Sequence, residues 1–300
     1  RAARYIRRMY AKPGQDPSRP AMITCALSGV VANRAQCPAI PYTPEEYAEE
    51  ARRAYEAGAA AVHIHARTPT GEPSFEVEDY RNIRDAIVAT CPVIINFSTG
   101  AFDVSVEKRI AYLDAVKPAG AALNMGSMNY AKYSEKRRDF VFEFVFQNPI
   151  SEIRAFLAAM NAAKIRPECE CFDLGHVGTL YPLMEMGLLE QPLQVSLIMG
   201  VVGGIPGTVE NLVHEVGQLP PGADWEVISL SLDQWRLVSA AAAIGGNVRV
   251  GLEDNFYLSP GHMAKSNGEL VDKCARMRRD IGRPIDTVEQ CRERLQLTHR

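Results

Sequence analysis

The stretch Ala61-Val62-His63-Ile64-His65-Ala66 is apolar apart from two histidines at alternate positions. Successive side chains of a β-strand point to opposite faces, so a strand here places both imidazoles on one face. A helix pattern precedes it. Thr43-Pro44-Glu45-Glu46 combines an N-cap, a proline at the first helical position and a capping-box glutamate, and Gly58 ends that helix. The stretch therefore belongs to a pattern in which helices and strands alternate.

This alternation continues along the chain and predicts repeated βα units with a parallel sheet. Strand-like runs cover residues 22–27, 60–65, 93–96, 121–124, 166–172, 193–198, 225–230 and 247–251. Helix-like runs cover residues 75–90, 104–116, 149–163, 179–186, 208–218, 233–244 and 266–280. Eight strands and the lack of an internal linker favour one (β/α)8 TIM barrel, an α/β fold, over two doubly wound halves. We predict a barrel domain over residues 21–300 and an N-terminal extension over residues 1–20.

Composition excludes several classes of protein. The 300 residues are 47% hydrophobic and 23% charged, which is typical of a globular protein with a large core. A formal charge of −3 predicts no nucleic-acid partner. No apolar run approaches the roughly 20 residues of a membrane span and no signal-peptide pattern opens the sequence, so we expect no membrane partner and a cytoplasmic protein. The seven cysteines form no CxxC pair and are expected to be reduced core thiols.

A second stretch, Asn247-Val248-Arg249-Val250-Gly251-Leu252-Glu253-Asp254-Asn255, carries charge into a strand. Arg249 and Glu253 share a face of this run, and Asp254 follows at its end. Two neutral imidazoles and one carboxylate form a common ligand set for catalytic zinc, so His63, His65 and Glu253 are candidate ligands. The alternatives are a pair of hydrogen-bonded pocket histidines and a simple ion pair between Arg249 and Asp254 that closes the barrel.

Polar residues collect where the predicted strands end, which is where TIM barrels place their active sites. Hydroxyl groups beside glycines at such ends can surround an anion, although each motif alone is also typical of a plain turn. The candidate substrate contacts at these ends are Arg34, Ser98, Thr99, Gly100, Asn124, Ser127 and Glu170. The glycine-rich run from Met199 to Gly207 lacks the spacing of a nucleotide-binding loop, and we interpret it as a flexible loop over the barrel mouth or as a structural turn.

Several of these motifs together resemble the β-keto acid cleavage enzymes, the family of 3-keto-5-aminohexanoate cleavage enzyme. The resemblance runs in order from about residue 21 to residue 297. It rests on His63-Ile64-His65, Phe97-Ser98-Thr99-Gly100, Leu123-Asn124-Met125-Gly126-Ser127, Pro167-Glu168-Cys169-Glu170 and Arg249-Val250-Gly251-Leu252-Glu253-Asp254-Asn255.

The resemblance implies a zinc-dependent TIM barrel that condenses a β-keto acid with acetyl-CoA and releases acetoacetate and a new acyl-CoA. His63, His65 and Glu253 would bind the metal. Asp254 would act as the base with help from Arg249, whose charge we expect to lower the pKa of that carboxyl. Ser98 and Ser127 would hold the substrate carboxylate, and the family's habit suggests a homotetramer.

One departure concerns the substrate. Shortly after the first strand, the aminohexanoate enzyme carries a glutamate that can meet the substrate's amine, and this chain has Val31 at that place. Val31 is therefore a further candidate substrate contact, and a substrate with an amine at that position is disfavoured.

Three other functions compete with acyl transfer. A metal-dependent barrel hydrolase would use the same ligands to activate water. A keto-acid lyase would form product without CoA. A non-catalytic ligand-binding barrel would show neither metal nor turnover.

Overall fold

Eight parallel strands close into a barrel in the computed structural model, which describes residue 16 and residues 18–299. The strands of the chain are Ile23–Ala26 (β1), Ala61–Ile64 (β2), Ile94–Ser98 (β3), Gly120–Asn124 (β4), Met128–Ser134 (β5), Asp139–Phe146 (β6), Arg166–Cys171 (β7), Gln194–Met199 (β8), Asp224–Ser229 (β9), Asn247–Val250 (β10), Tyr257–Ser259 (β11) and His262–Met263 (β12). The order around the barrel is β1, β10, β9, β8, β7, β4, β3, β2, and β2 pairs again with β1. All eight predicted runs are barrel strands, so the predicted TIM barrel is confirmed.

The helices lie between the barrel strands and after the last of them. They are Pro44–Ala57 (α1), Val77–Thr90 (α2), Val106–Val116 (α3), Ile150–Ala163 (α4), Leu174–Glu185 (α5), Val209–Gln218 (α6), Gln234–Ile244 (α7), Asn267–Asp280 (α8) and Val288–Leu295 (α9). The predicted start and end of α1 are confirmed: Thr43 and Glu46 form a capping box, and Gly58 adopts the left-handed conformation with φ +114°.

The predicted bounds of one helix were wrong. Helix α5 begins at Leu174, whereas the sequence predicted a helix over residues 179–186. Asp173 caps the true start, because its carboxylate accepts hydrogen bonds from the backbone N–H groups of Gly175 and His176. The first turns contain Gly175 and Gly178, and glycine has a low helix propensity, so the sequence predicts the start of this helix too late.

Side-chain alternation along β7 separates the barrel interior from the layer between strands and helices. Glu168 and Glu170 belong to the polar interior, whereas Cys169 and Cys171 lie in the main apolar core cluster. All seven cysteines are within the described residues, and each is buried and free, as predicted. The thiols therefore contribute to packing.

An antiparallel hairpin interrupts the barrel pattern between β4 and α4. Strands β5 and β6 pair from Met128 opposite Phe146 to Ser134 opposite Asp139. The sequence analysis predicted no element over these residues. We refer to residues 128–146 as the aromatic hairpin, because β6 carries a phenylalanine at every second position.

The glycine-rich run after β8 packs against this hairpin. The N–H of Ala131 donates to the carbonyl of Val202, with an N···O distance of 3.3 Å. Gly203 has φ +100°, and a Cβ there would lie 1.9 Å from the carbonyl oxygen of Asn129. Only glycine allows the two backbones to approach this closely. The run therefore has a structural role in contacting the hairpin, and the alternative of a flexible loop over the barrel mouth stays a prediction.

No helix in the described part of the chain is both long and apolar enough to span a membrane. The predicted N-terminal extension falls almost entirely on residues 1–15 and 17, which lie outside the described residues. The division into an extension and a barrel domain therefore stays a prediction, as does the cytoplasmic location.

Candidate active site

The structure brings His63, His65 and Glu253 together at the carboxyl end of the barrel. One ligand atom from each lies within 4.8 Å of the others. The Nε2 atom of His63 is 3.8 Å from one carboxylate oxygen of Glu253, and Nε2 of His65 is 3.4 Å from the other. His63 lies on β2 and His65 follows it, while Glu253 follows β10, which is separated from β2 by β1 alone.

Two glycines allow Glu253 to reach this position. Gly251 has φ +143°, and a Cβ there would lie 2.2 Å from the carbonyl oxygen of Ala26 in β1. Gly29 has φ +57°, and its Cβ would lie 2.7 Å from Cγ of Glu253. Any side chain at these places would push the carboxylate away from the histidines.

His63 is held in one tautomer. Its Nδ1 lies 2.8 Å from Oδ1 of Asn96, and Nδ2 of Asn96 donates to Glu168 at 2.7 Å. Since Asn96 offers an oxygen to the ring, Nδ1 carries the proton and the Nε2 lone pair points toward Glu253. Burial, with the charge of Arg249, lowers the pKa of His63 to about 3, so the imidazole is neutral at physiological pH.

Arg249 connects the acidic groups of the site. Its guanidinium donates two hydrogen bonds to Asp254, from Nε at 3.0 Å and from Nη2 at 2.9 Å. Nη2 also donates to Glu253 at 2.7 Å, and Nη1 lies 3.5 Å from a carboxylate oxygen of Glu170. We call His63, His65, Arg249, Glu253 and Asp254 the charged cluster. All of it is buried or half-buried.

The two neighbouring carboxyls of the charged cluster respond differently to burial. Burial would raise the pKa of Glu253, but Arg249 and the two histidines outweigh it and hold that pKa well below its ordinary value. For Asp254 burial dominates over Arg249, and the pKa is raised to about 6. Arg249 itself lowers the pKa of Asp254, as expected, but burial exceeds that effect. Asp254 is still mostly ionised at neutral pH.

A hydrogen-bonded chain of polar groups supports the cluster from inside the barrel. Ser196 lies 2.6 Å from Glu168 and 3.0 Å from Glu226, and the hydroxyl of Thr24 donates to Glu226 at 2.8 Å. Burial raises the pKa of Glu168, and raises that of Glu226 to about 8. Protonated carboxyls can donate as well as accept, so this interior network needs no counter-ion of its own.

Three predicted substrate contacts lie together beside β3 and β4. A Cβ on Gly100 would lie 3.5 Å from the hydroxyl of Ser98 and 3.7 Å from Nδ2 of Asn124. The oxygen of the Asn124 amide is buried without a hydrogen-bond partner among the described residues. Glu170 lies opposite Asn124 in the register of β4 and β7, and burial raises its pKa to about 8.

Other predicted contacts have partners elsewhere. The hydroxyl of Thr99 donates to the carbonyl of Ala122 at 2.6 Å. The exposed Ser127 accepts a hydrogen bond from the N–H of Asn148 at 2.7 Å, which closes the base of the aromatic hairpin.

Two candidates lie in the loop after β1. Arg34 forms an ion pair with Glu46 and places its guanidinium 4.0 Å above the ring of Tyr42. Val31 is 61% exposed, so it is not a core residue.

Sequence reasoning missed three residues that shape the site. Asn96 orients His63 as described, and Arg67 holds the loop after β1 by donating to the carbonyls of Gly29 at 2.8 Å and Ala32 at 2.6 Å. Tyr130 of the aromatic hairpin belongs here too: burial, with the charges of Glu253, Asp254 and Glu170, raises its pKa to about 12. A polar residue inside a strand-like run signals Asn96, but nothing local signals Tyr130.

The donor set fits a divalent metal ion. Both imidazoles belong to a three-residue cluster with one carboxylate, which is a common set for catalytic zinc. Oε2 of Glu253 is buried and has no hydrogen-bond partner among the described residues. An ionised carboxylate oxygen in that position needs a positive partner.

Known proteins are similar to this chain over most of its length. A family model described as beta-keto acid cleavage enzyme matches residues 20–297. The 3-keto-5-aminohexanoate cleavage enzyme of Acetoanaerobium sticklandii is 35% identical, over 91% of this chain and 96% of that protein. The 3-dehydrocarnitine:acetyl-CoA trimethylamine transferase of Rhizobium meliloti is 32% identical, over 94% of this chain and 98% of that protein. The 3,5-dioxohexanoate:acetyl-CoA acetone transferase of Paraburkholderia graminis is also 32% identical, over 93% of this chain and 96% of that protein.

A solved structure supports the fold. The apo structure of ObcA has a TM-score of 0.73 and 22% sequence identity, with 87% of this chain aligned. The chain spans 66% of the length of that structure, and the likeness concerns the barrel.

Proposed function

The chain belongs to the β-keto acid cleavage enzyme family and is an acyltransferase that acts on β-keto acids, and we propose that it condenses a β-keto acid with acetyl-CoA to give acetoacetate and a new acyl-CoA. The observation that carries this proposal is the charged cluster, where the candidate ligands His63, His65 and Glu253 lie directly beside the Arg249 and Asp254 pair. A metal site next to a buried carboxylate suits removal of a proton from carbon.

His63, His65 and Glu253 would hold the metal, which we propose to be Zn²⁺. When bound there, the cation would supply Lewis-acid chemistry that favours loss of a proton from the carbon between a keto group and a carboxylate. Asn96 keeps the Nε2 lone pair of His63 available for this role.

Asp254 would take the proton, and Arg249 would orient it through its two hydrogen bonds. Nη1 of Arg249 is buried without a hydrogen-bond partner among the described residues, so it is a donor available to a substrate oxygen. A pKa of about 6 for Asp254 means that the carboxylate is ionised before it accepts a proton and can return it afterwards.

Ser98, Gly100 and Asn124 would contact the substrate carboxylate and its neighbouring atoms, with Ser127 at the same rim. Thr99 donates a hydrogen bond to the carbonyl of Ala122, and Arg34 forms an ion pair with Glu46. These two residues would therefore shape the site through their protein contacts. Glu170 would contact substrate from the β7 side. Val31, exposed in the loop after β1, would leave a substrate amine without an acidic partner.

The proposed reaction needs no protein nucleophile. The carbon that loses its proton to Asp254 attacks the thioester carbonyl of acetyl-CoA, a carbon–carbon bond forms, and the CoA thiolate leaves. The thiolate then adds to the original keto carbon, and the bond from that carbon to the central carbon breaks. The central carbon takes the proton back, which yields acetoacetate and the new acyl-CoA.

The proposal is tested with purified, metal-quantified protein, acetyl-CoA and a panel of β-keto acids, with acetoacetate and acyl-CoA followed by mass spectrometry. Acetoacetate should form only when both substrates are present, and Asp254→Asn should keep the metal but lose turnover. Bound metal without any acetoacetate would favour the hydrolase or the lyase instead. The homotetramer also stays a prediction, and light scattering of the same preparation tests it.

A further inference from the structure

The aromatic hairpin presents one aromatic face toward the barrel mouth. The register pairs Met128 with Phe146, Tyr130 with Phe144 and Lys132 with Phe142. Alternate residues of a strand share a face, so these side chains lie together, with Lys132 at the far end. Met128 and Phe146 at the base are buried in a cluster with the following mouth residues: Phe172, Ile198, Val201 and Ile228.

The base of this face lies next to the charged cluster. Phe146 approaches the corner formed by Ser98 and Asn124, since a Cβ on Gly100 would lie 3.8 Å from its ring. Burial, with the charges of Glu253 and Asp254, raises the pKa of Tyr130, so its side chain lies near these carboxylates. The face therefore begins at the reaction centre and extends away from it.

The aromatic rings farther along are half-buried and nearly parallel. The ring centroids of Tyr130 and Phe144 are 5.3 Å apart with an interplanar angle of 12°, and those of Tyr130 and Phe142 are 6.2 Å apart with an angle of 10°. Phe102, which is 46% exposed, packs edge-on against Phe144 with centroids 4.4 Å apart. These rings form an apolar strip that is partly open to solvent.

Unpaired positive charges lie at the other end of the strip. Lys132, Lys136, Arg137 and Arg138 are exposed, and no carboxylate among the described residues lies within salt-bridge distance of them. We call these four residues the basic tip. Arginines on the helices differ, since Arg52, Arg81 and Arg276 each pair with a carboxylate of their own helix.

We propose that the aromatic hairpin binds the coenzyme A portion of the co-substrate, with the pantetheine arm along the aromatic strip and the nucleotide phosphates at the basic tip. This inference rests on the proposed function, because it takes acetyl-CoA as the ligand whose thioester reaches the charged cluster. Six residue steps separate Met128 from Ser134, which corresponds to about 20 Å of strand. That length suits an extended arm that joins a thioester to a group of phosphates. The four cations of the basic tip outnumber the exposed carboxylates of the same turn, Glu135 and Asp139, so the tip is net positive toward phosphates.

The test measures equilibrium binding of CoA and of pantetheine, which lacks the nucleotide phosphates, to the metal-loaded protein by calorimetry. The variant Lys136→Ala/Arg137→Ala removes two charges of the basic tip. We expect its Kd for CoA to rise about tenfold, its Kd for pantetheine to stay unchanged, and the salt dependence of CoA binding to weaken. Arg276→Ala/Arg279→Ala, which removes two exposed arginines from α8, is the matched control and should bind both ligands as the unaltered protein does.

Equal CoA affinity in the tip variant and the unaltered protein would overturn the inference. An equal loss in the α8 control would also overturn it, because net charge alone would then explain the effect. These readouts need no turnover, so they are separate from the proposed function, which fails if acetyl-CoA and β-keto acids yield no acetoacetate.

Discussion

The charged cluster and the aromatic hairpin lie at the same end of the barrel but are stabilised in different ways. In the cluster, opposite charges are paired, since Arg249 donates hydrogen bonds to both Asp254 and Glu253. In the hairpin, apolar rings lie at the mouth, and the cations of the basic tip have no partner of opposite charge within the part of the chain that the structure describes.

The difference separates chemistry from recognition. Buried, mutually paired charges hold their geometry because moving one leaves another unpaired at a cost of several kcal/mol. Half-exposed rings and unpaired surface cations contribute little to the fold and are free to meet a ligand. Changes in the cluster should therefore affect turnover most, and changes elsewhere should affect metal affinity or stability.

The largest effect is expected from His63→Ala. It removes one of three ligands, so bound metal and turnover should be lost together. Metal content by mass spectrometry and acetoacetate formation are measured on the same preparation, with His214→Ala, an exposed histidine of α6, as the control. Metal retained by His63→Ala would refute the ligand assignment.

Arg249→Ala should keep the metal and lower kcat by about 10²- to 10⁴-fold, because Asp254 loses its orienting partner. The carboxylates left unpaired in the interior should also lower the free energy of unfolding by about 3–5 kcal/mol. Steady-state kinetics and thermal melts separate the two effects. Arg249→Lys keeps the charge but loses the bidentate hydrogen bond to Asp254. Full activity in either variant would contradict the role given to Arg249.

Gly29→Ala tests whether backbone shape places Glu253. The new Cβ would meet Cγ of Glu253 at 2.7 Å, so we expect metal affinity to fall about 10- to 100-fold. Gly261→Ala is the matched control, since Gly261 also has positive φ, +75°, but a Cβ there would meet nothing within 4 Å among the described residues. Competition with a metal chelator measures both, and equal affinities in the two variants would remove this explanation.

Glu215→Gln should have the smallest effect and act on stability alone. Glu215 of α6 is buried without a hydrogen bond to either carboxyl oxygen among the described residues, and burial raises its pKa to about 8. Between pH 4.5 and 8 the folded protein keeps a proton that the unfolded chain has lost, so the stability of the unaltered protein falls as pH rises.

The variant lacks this titration. Its advantage in free energy of unfolding should grow as the pH rises from 4.5 to 8 and should vanish below pH 4.5. Denaturant melts at several pH values measure it, and a difference independent of pH would contradict the assignment to Glu215.

Much of this account could be predicted from local sequence pattern. Strand alternation places His63 beside His65, and strand ends of a barrel converge, so the grouping of His63, His65 and Glu253 and the Arg249 and Asp254 pair follow from sequence. The net pKa of Asp254 does not, because burial exceeds the effect of Arg249 only in the folded interior. Thr99 and Arg34 look like ligand contacts in sequence, but their polar groups bond to Ala122 and Glu46 after folding.

The aromatic hairpin escaped prediction for a similar reason. Its strands interrupt the βα repeat, and their position over the mouth depends on contacts with distant residues such as Val202 and Phe172. No local pattern in Tyr130 reveals the carboxylates that it faces.

The most direct test of the account follows the carbon atoms of acetyl-CoA labelled with ¹³C in the acetyl group. The labelled substrate is incubated with the metal-loaded protein and the best β-keto acid of the panel, and products are analysed by mass spectrometry. The account predicts that the acetyl label appears in acetoacetate, at its keto and methyl carbons, and that the new acyl-CoA is unlabelled. Unlabelled acetoacetate, or cleavage of the keto acid without acetyl-CoA, would contradict acyl transfer by the charged cluster.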